Sequence, residues 1–323
     1  MKIVMTGGAG FLGSKLAASF AERGTAAGPD GGQQDISEIV CIDHAAPASP
    51  VDGVTYVTAD ICAPGAFDTH IPDNASSIVH LAAVVSAQAE ADFDLGMRVN
   101  LDATRALLER CRQLDAPPRF IFTSSVAAFG VAPSIVDDDT PARPLNSYGV
   151  EKVIGEYLVG EYARKGYIDG RCFRLPTIVI RPGAPNQAAS SFASSILREP
   201  LTGAETVCPV SPDLPVWIQS PRAVIRNLVH GHDLPAGAFE DGLRTINLPG
   251  ITVTVQQMVD ALERAGGAIG LIKWKRDEAI ESIVASWPHG MHTTRADALG
   301  FEADESIDAI VKVFIEDELG RAP

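Results

Sequence analysis

Residues 2 to 16 read KIVMTGGAGFLGSKL, in which a short apolar run is followed by a glycine-rich turn and then by apolar residues at helical spacing. Glycines at positions 7, 10 and 13 allow the backbone to approach a ligand closely where the helix begins. Free amide groups and the helix dipole favour an anion there, such as a pyrophosphate. An ordinary glycine-rich turn is the alternative. The flanking strand and helix patterns favour a nucleotide site formed by Gly7, Gly10, Phe11, Leu12 and Gly13.

The alternation that begins here continues through the first half of the chain. Short apolar runs predict strands, and apolar residues at helical spacing predict helices over 11–23, 92–114 and 147–166. Strands this uniformly apolar are typical of a parallel sheet covered by helices on both faces. We therefore predict an α/β fold with a doubly wound parallel sheet and a ligand beyond the carboxyl ends of its strands. The predicted strands are KIVMT, EIVCID, VTYVTAD, SIVHLAA, RFIFTSS and GRCFRLP.

After the last of these strands the pattern becomes irregular and rich in proline, which predicts a smaller C-terminal region of mixed structure. We assign residues 1–176 to a nucleotide-binding domain that also receives segments near 217–248. Residues 177–323 are assigned to a substrate-binding region. Residues 24–36, rich in Gly, Asp and Gln, are predicted to form a surface excursion.

Composition and charge limit the class of protein. The 323 residues are 46% hydrophobic, and the formal net charge is -15 with an isoelectric point near 4.8. So acidic a chain argues against nucleic acid or an anionic membrane as a partner. The longest apolar stretch, IVHLAAVVSA, is about half of a membrane span. The five cysteines form no CxxC pair, and the first strand begins at once, so we expect reduced thiols and a cytoplasmic location.

Two acidic residues at predicted strand ends indicate which nucleotide binds. Asp43 ends the second strand of the alternation, where a carboxylate accepts hydrogen bonds from the adenosine ribose and repels a 2′-phosphate. It lies 30 residues after Gly13, further than the usual ~20, because the excursion at 24–36 intervenes. NAD is therefore predicted in preference to NADP. Asp60 is predicted to face the adenine, with a turn-forming role as the alternative.

Tyr148 and Lys152, in SYGVEK, lie four residues apart and so share one face of a predicted helix. A nearby ammonium favours the ionised form of a phenol, which allows the tyrosine to act as a base. Such a spacing usually marks only a surface pair, so the assignment depends on its surroundings. Ser125 ends the RFIFTSS strand, 23 residues before Tyr148, and can lie close to the phenol.

These motifs together resemble the extended short-chain dehydrogenase/reductase family, which includes nucleotide-sugar epimerases and dehydratases. The resemblance covers nearly the whole chain. It rests on TGGAGFLG, Asp43, ADI at 59–61, HLAA at 80–83, Asn100, TSSVAAFG at 123–130, YGVEK at 148–152 and the LGF near the C-terminus.

The resemblance implies a Rossmann sheet and NAD as the cofactor. It implies Ser125 as the catalytic hydroxyl and Tyr148 as the base, with Lys152 binding the nicotinamide ribose and lowering the pKa of the tyrosine. It also implies a homodimer through helices 92–114 and 147–165. Further cofactor-binding residues implied by the resemblance are Asp60, Ile61, Leu81, Ala82, Ala83, Asn100, Pro176, Thr177 and Ile178.

The substrate region departs from the sugar-epimerase pattern. Where those enzymes commonly have an aromatic residue, Ile, His, Val, any residue and Asp, this chain has WIQSPR, so Arg222 replaces the acid. With Arg181 it predicts a compact pocket for a carboxylate. An internal salt bridge for Arg222 and a structural role for Arg181 are the alternatives. The residues assigned to the substrate are Ser86, Ser125, Tyr148, Arg181, Asn186, Ser191 and Arg222.

Two longer strings resemble the branch of the family that oxidises D-erythronate with NAD, namely RLPTIVIRPGAPNQAASSFASSILREPL and VCPVSPDLPVWIQSPRAVIRNLVHG. The predicted function is NAD-dependent oxidation of the 2-hydroxyl of a small, anionic sugar acid. A nucleotide-sugar epimerase or dehydratase is the alternative enzyme. A non-catalytic NAD-binding protein is the alternative of another class, but it would have little reason to keep Ser125, Tyr148 and Lys152 together.

No metal site is predicted. His289 and His292 could both bind a metal, but no third ligand is suggested near them. His80 is predicted to be a buried strand residue close to the cofactor.

Overall fold

Strands and helices follow one another along the chain. The structure, a computed structural model, describes residues 1–29, 31–130, 133–183, 188–239 and 244–321. In this part of the chain the strands, numbered in order, are β1 Lys2–Thr6, β2 Thr25–Ala27, β3 Gln33–Asp35, β4 Glu38–Asp43, β5 Val54–Thr58, β6 Ser77–His80, β7 Arg119–Ser125, β8 Ile135–Val136, β9 Asp169–Leu175, β10 Thr177–Ile178, β11 Thr206–Cys208, β12 Pro215–Gln219, β13 Thr245–Asn247, β14 Ile251–Thr254, β15 Ile272–Trp274 and β16 Gly290–Met291.

The central sheet has seven parallel strands in the order β13-β9-β7-β6-β1-β4-β5. From β1 the chain adds strands first on one side and then on the other. The reversal places a crevice at the carboxyl ends of β1 and β6, where ligands of such sheets bind. The doubly wound α/β prediction is confirmed. The seventh strand, β13, is three residues long, and the sequence did not predict it.

Helices cover both faces of the sheet, with α1 and α8 on one face and α5 and α6 on the other. The helices of the described residues are α1 Phe11–Arg23, α2 Ala66–His70, α3 Ser86–Ala91, α4 Phe93–Gly96, α5 Ala103–Cys111, α6 Ser147–Arg164, α7 Ser191–Leu201, α8 Pro221–Asp233, α9 Val255–Arg264, α10 Glu278–Ala285, α11 Thr294–Ala298 and α12 Ile307–Leu319. Residues Met97–Asp102 form a π-helical segment between α4 and α5, so the single helix predicted over 92–114 is divided.

The sheet is apolar on both faces because successive residues of a strand point to opposite sides. In β1, Ile3 and Met5 pack with residues of α1 and α8, whereas Val4 packs with residues of α5 and α6. This explains why the strands are uniformly apolar in sequence, without the alternation of a one-sided sheet.

The C-terminal region has its own core. Strands β10, β12 and β14 form a small mixed sheet, and the buried residues around it come mainly from α7, α9 and α12. Within the described residues, no helix has the length and apolarity needed to cross a membrane.

The excursion at 24–36 contains an antiparallel hairpin, β2 with β3, at the amino end of the sheet. Arg119, the first residue of β7, is fully buried and donates to the carbonyls of Ala27 and Gly28 at 2.6 and 3.1 Å. The N–H of Ala27 donates to Asp233 at 3.0 Å. The hairpin therefore lies at the opposite end of the sheet from the ligand crevice.

Candidate active site

The glycine turn between β1 and α1 is too tight to admit side chains. Gly7 has a φ of +72°, and a Cβ atom there would lie 2.7 Å from the amide nitrogen of Ala82. A Cβ atom at Gly13 would lie 2.2 Å from the carbonyl oxygen of Gly7. Because both positions require glycine, the bare backbone can present the N-terminal amides of α1 to an anion.

Asp43 ends β4 and ties that strand to the glycine turn. Its Oδ2 accepts a hydrogen bond from the N–H of Ala9 at 3.1 Å, and its Oδ1 lies 2.9 Å from Nδ1 of His44. It lines a cavity of about 480 Å³ at the carboxyl edge of the sheet, which we call the adenosine cavity. The other predicted cofactor residues that line this cavity are Gly7, Gly10, Asp60, Ile61, Leu81, Ala82 and Ala83.

A second cavity, of about 300 Å³, continues along the carboxyl edge of the sheet. Gly7, Gly10, Leu81 and Ala83 line both cavities, so the two form one cleft that passes the glycine turn. We call the second cavity the catalytic end. Predicted residues that line it are Phe11, Leu12, Gly13, Ser86, Ser125, Tyr148, Lys152, Pro176, Thr177, Ile178 and Arg181.

Ser125, Tyr148 and Lys152 meet at the catalytic end. Ser125 is the last residue of β7 and lines the catalytic end with Tyr148, close enough to lower the pKa of the phenol. Tyr148 lies in the first turn of α6, where the side chain of Asn146 caps the helix by accepting from the N–H of Gly149 at 2.8 Å. Nζ of Lys152 lies 5.6 Å from the centre of the Tyr148 ring.

Burial dominates the electrostatics of these side chains. Burial raises the pKa of Tyr148 to about 12, while the charge of Arg181 and the hydrogen bond from Ser125 oppose that rise. Burial lowers the pKa of Lys152 to about 8, and the carboxylate of Glu151 opposes that fall. Arg181 is thus a second cation that favours the ionised phenol, and the same effect of Lys152 stays a prediction.

Arg181 reaches the catalytic end from the segment that follows β10. Its Nε donates to the carbonyl of Ile178 at 3.1 Å, and its Nη2 donates to the hydroxyl of Ser190 at 2.8 Å. Among the described residues, no carboxylate pairs with its guanidinium, and burial lowers its pKa. An uncompensated, largely desolvated guanidinium on the wall of a cleft is suited to an anionic ligand.

The structure does not bring Arg222 to the cleft. This residue lies in the first turn of α8 and pairs with Glu316 at 3.0 Å and Asp317 at 2.5 Å. Both carboxylates belong to α12, and the arginine side chain is half exposed. The predicted contact between Arg222 and the substrate is therefore wrong, because an acidic helix distant in sequence packs beside it.

Ser191 and Asn100, which were also predicted as site residues, do not line the two cavities. Ser191 begins α7, but the serine that lines the catalytic end is its neighbour Ser190. Asn186 lies outside the described residues. Asn100 is buried and binds the N–H and C=O of Val84 at 2.8 and 3.0 Å, so it holds the wall of the adenosine cavity in place without lining it.

Two residues beside the cleft were not predicted from the sequence. Glu151 is buried; one of its oxygens accepts from Asn100 at 2.6 Å, and the other has no partner among the described residues. Burial raises the pKa of this carboxyl. Trp287 lines the catalytic end from the C-terminal region. Neither carried a signal, since Glu151 reads as an ordinary helix residue and Trp287 lies far along the chain.

The histidines do not form a metal centre. His80 is buried between Thr6 and Thr104, with contacts of 2.6 and 2.8 Å to their hydroxyls, and burial lowers its pKa to about 3. It is a neutral strand residue, as predicted. In the part of the chain that the structure describes, which includes His289 and His292, no cluster of His, Cys, Asp or Glu is arranged to hold a metal ion.

Fold, glycine turn and catalytic trio together define a nucleotide-dependent enzyme. The chain matches the NAD dependent epimerase/dehydratase family over residues 3–237 and belongs to that family. It is 50% identical over 321 residues to a D-erythronate dehydrogenase of Cupriavidus necator, which covers 98% of each chain. It is 43% identical to a D-erythronate dehydrogenase of Haemophilus influenzae, over 98% of this chain and 99% of the relative.

A solved structure of similar shape is the nucleoside-diphosphate-sugar epimerase from Agrobacterium tumefaciens. It matches with a TM-score of 0.92 and 39% identity, and the match covers 99% of this chain and 95% of that one. The predicted family is confirmed, and with it a nicotinamide cofactor.

Proposed function

We propose that this protein oxidises the 2-hydroxyl of D-erythronate to the 2-oxo acid with NAD. The observation that carries the proposal is the position of Arg181, whose unpaired guanidinium faces the catalytic end beside Tyr148 and Ser190. A charge there suits a substrate whose reacting hydroxyl neighbours a carboxylate. The two relatives named D-erythronate dehydrogenase support the same choice of acid.

The cleft fits a dinucleotide. Gly7 and Gly10 line both cavities, so a pyrophosphate that joins the two halves of the cofactor can lie against the bare backbone of the glycine turn. We assign the adenosine ribose to Asp43, whose carboxylate also disfavours a 2′-phosphate, and the nicotinamide ribose to Lys152. When bound, NAD supplies the acceptor for the hydride that leaves C2 of the acid.

The residues of the chain supply placement and proton transfer. Tyr148, ionised, removes the proton of the C2 hydroxyl, and the Ser125 hydroxyl holds that oxygen by a hydrogen bond. Arg181 binds the adjacent carboxylate and stabilises the phenolate by its charge. Burial opposes ionisation of Tyr148, so the neighbouring cation and hydroxyl are needed to make it a base.

The direct test is NADH formation by purified protein given NAD and D-erythronate. We expect Tyr148→Phe to lower kcat by roughly 10²- to 10⁴-fold, since it removes the proton acceptor, while NAD affinity is kept. Tyr167→Phe is the matched control, because Tyr167 lies beyond the end of α6 and away from the cleft. Full activity in Tyr148→Phe would refute the base assignment.

A nucleotide-sugar epimerase is the second candidate, and the Agrobacterium tumefaciens structure is the observation that favours it. The catalytic end measures about 300 Å³ and must hold the nicotinamide as well as the substrate. A small acid needs less of that space than a nucleoside diphosphate does, which favours the acid. Turnover of UDP-glucose or UDP-galactose, without NADH formation from D-erythronate, would establish the epimerase instead.

We further propose that the enzyme is a homodimer and works in the cytoplasm. Phe93, Val150 and Tyr157 are exposed on helices α4 and α6, which together with α5 are the helices that the resemblance assigns to the interface. The five cysteines are all unpaired, which suits a reducing compartment. We also propose that the chain is divided into a cofactor domain, 1–176 with segments near 217–248, and a substrate region, 177–323. Sedimentation equilibrium tests the dimer.

A further inference from the structure

Trp287 is an aromatic side chain that the C-terminal region contributes to the catalytic end. It follows α10 and lines the cleft together with Tyr148, Arg181 and Ser190. Only 9% of the residue is exposed. The indole therefore forms part of the wall of the cleft and is not a surface group that folds over it.

The ring is held by packing. Trp287 belongs to the C-terminal hydrophobic cluster with Val179, Val216 and Val284, and its backbone N–H donates to the carbonyl of Val284 at 3.1 Å. Its indole Nε1 has no hydrogen-bond partner among the described residues. Replacing the indole by a smaller apolar ring would therefore break no hydrogen bond of the side chain.

The space behind the ring is closed. Trp287 also lines a crevice of about 10 Å³ against Trp217, Val126 and Thr177, which is about the volume that one water molecule needs. A substrate cannot extend past the indole into the C-terminal region while the ring is in place.

We propose that Trp287 sets the length of the sugar acid that the enzyme accepts, an inference that rests on the proposed function. The acid is fixed at its carboxylate by Arg181 and at its C2 hydroxyl by Ser125 and Tyr148. Acids of different chain length therefore differ in how far their carbons beyond C2 extend into the cleft. The other lining residues that have no assigned role at this end are Val85, Thr123, Ser124, Val126, Ala127, Leu175 and Ala188. All of them are smaller than tryptophan, so the indole is the group whose removal enlarges this end most.

The test compares kcat/KM for D-erythronate with that for D-ribonate and D-allonate, which keep its configuration and extend the chain by one and two carbons. In the native protein we expect preference for D-erythronate. In Trp287→Ala the preference over the longer acids should fall by roughly 10- to 200-fold, the range over which one methylene group in a pocket discriminates. The preference of Trp287→Phe should lie between that of the native protein and that of Trp287→Ala.

Controls separate this inference from loss of fold and from the proposed function. Trp274→Ala removes an indole that is 46% exposed on β15 and should leave the preference unchanged. Thermal melting and NAD titration verify that each variant is folded. If Trp287→Ala does not fold, the preference is tested with Trp287→Phe instead. An unchanged preference in a folded Trp287 variant overturns the inference alone. A native protein inactive on all three acids overturns both.

Discussion

Replacing Arg181 by Gln removes the charge that faces the substrate carboxylate but keeps a side chain of similar reach. Nε and Nη2 of Arg181 already bind Ile178 and Ser190, whereas Nη1 makes no hydrogen bond within the described residues. The carboxylate therefore gains at least one charge-assisted hydrogen bond, which is worth roughly 1.5–3 kcal/mol. At about 1.4 kcal/mol for each factor of ten, kcat/KM for D-erythronate should fall roughly 10- to 150-fold.

The same substitution should also change the pH dependence of the reaction. The charge of Arg181 opposes the rise in the pKa of Tyr148 that burial causes. Without it the pKa of Tyr148 rises further, and because oxidation requires the ionised phenol, the acidic limb of the kcat/KM profile moves to higher pH. Arg181→Lys keeps the charge, so it should keep the limb in place while still weakening carboxylate binding.

Arg222 offers the matched control. It is half exposed and paired with Glu316 and Asp317, so Arg222→Gln should leave KM for D-erythronate unchanged. Its effect on stability should stay within about 1 kcal/mol, as for other surface ion pairs. Initial rates over a range of acid concentrations and pH values measure all three variants. A contact between Arg181 and the carboxylate would be refuted if Arg222→Gln weakened binding as much as Arg181→Gln, or if Arg181→Gln left KM unchanged.

Three further variants test other parts of the site. Gly13→Ala places a Cβ atom 2.2 Å from the carbonyl oxygen of Gly7, so calorimetric titration should show NAD affinity lost or strongly reduced, and native affinity would contradict the tight turn. Glu151→Gln keeps an acceptor for Asn100 but removes a negative charge that raises the pKa of Tyr148. The acidic limb of the pH profile of kcat/KM should therefore move to lower pH. A limb that does not move would show that this charge does not affect the phenol. Glu156→Ala leaves the guanidinium of Arg174, now bound at 2.6 and 2.8 Å, buried without its partner, and denaturant unfolding should show a loss of roughly 3–5 kcal/mol. A loss below 1 kcal/mol, about that of a surface pair, would contradict the buried pairing.

Features that depend on neighbouring residues could be predicted from the sequence. The glycine turn, six strands of the central sheet and the Tyr148–Lys152 pair are local patterns, namely a glycine spacing, short apolar runs and a spacing of four residues on a helix. Ser125 could be placed because the carboxyl ends of parallel strands meet at one edge of a sheet. The hairpin at 24–36 was predicted as an excursion, though not as paired strands.

Features that depend on distant packing could not be predicted. Arg181 and Arg222 look alike in sequence, since each neighbours a proline, and only the position of α12 shows which of them is neutralised. Trp287 reaches the cleft because the whole C-terminal core places it there. The influence of Arg181 on Tyr148 arises from two segments that approach only in the folded chain.

The hairpin at the amino end of the sheet has a consequence for how this chain can change over generations. Arg119 is 2% exposed, and two of its donors bind carbonyls of the hairpin, while its remaining ionic contact, to Asp169, is 3.4 Å long. Deleting the hairpin would leave a buried guanidinium short of acceptors, at a cost of at least roughly 1–3 kcal/mol. Loss of the hairpin without a change at Arg119 should therefore destabilise the chain, so a homologue that lacks the hairpin should also lack this arginine.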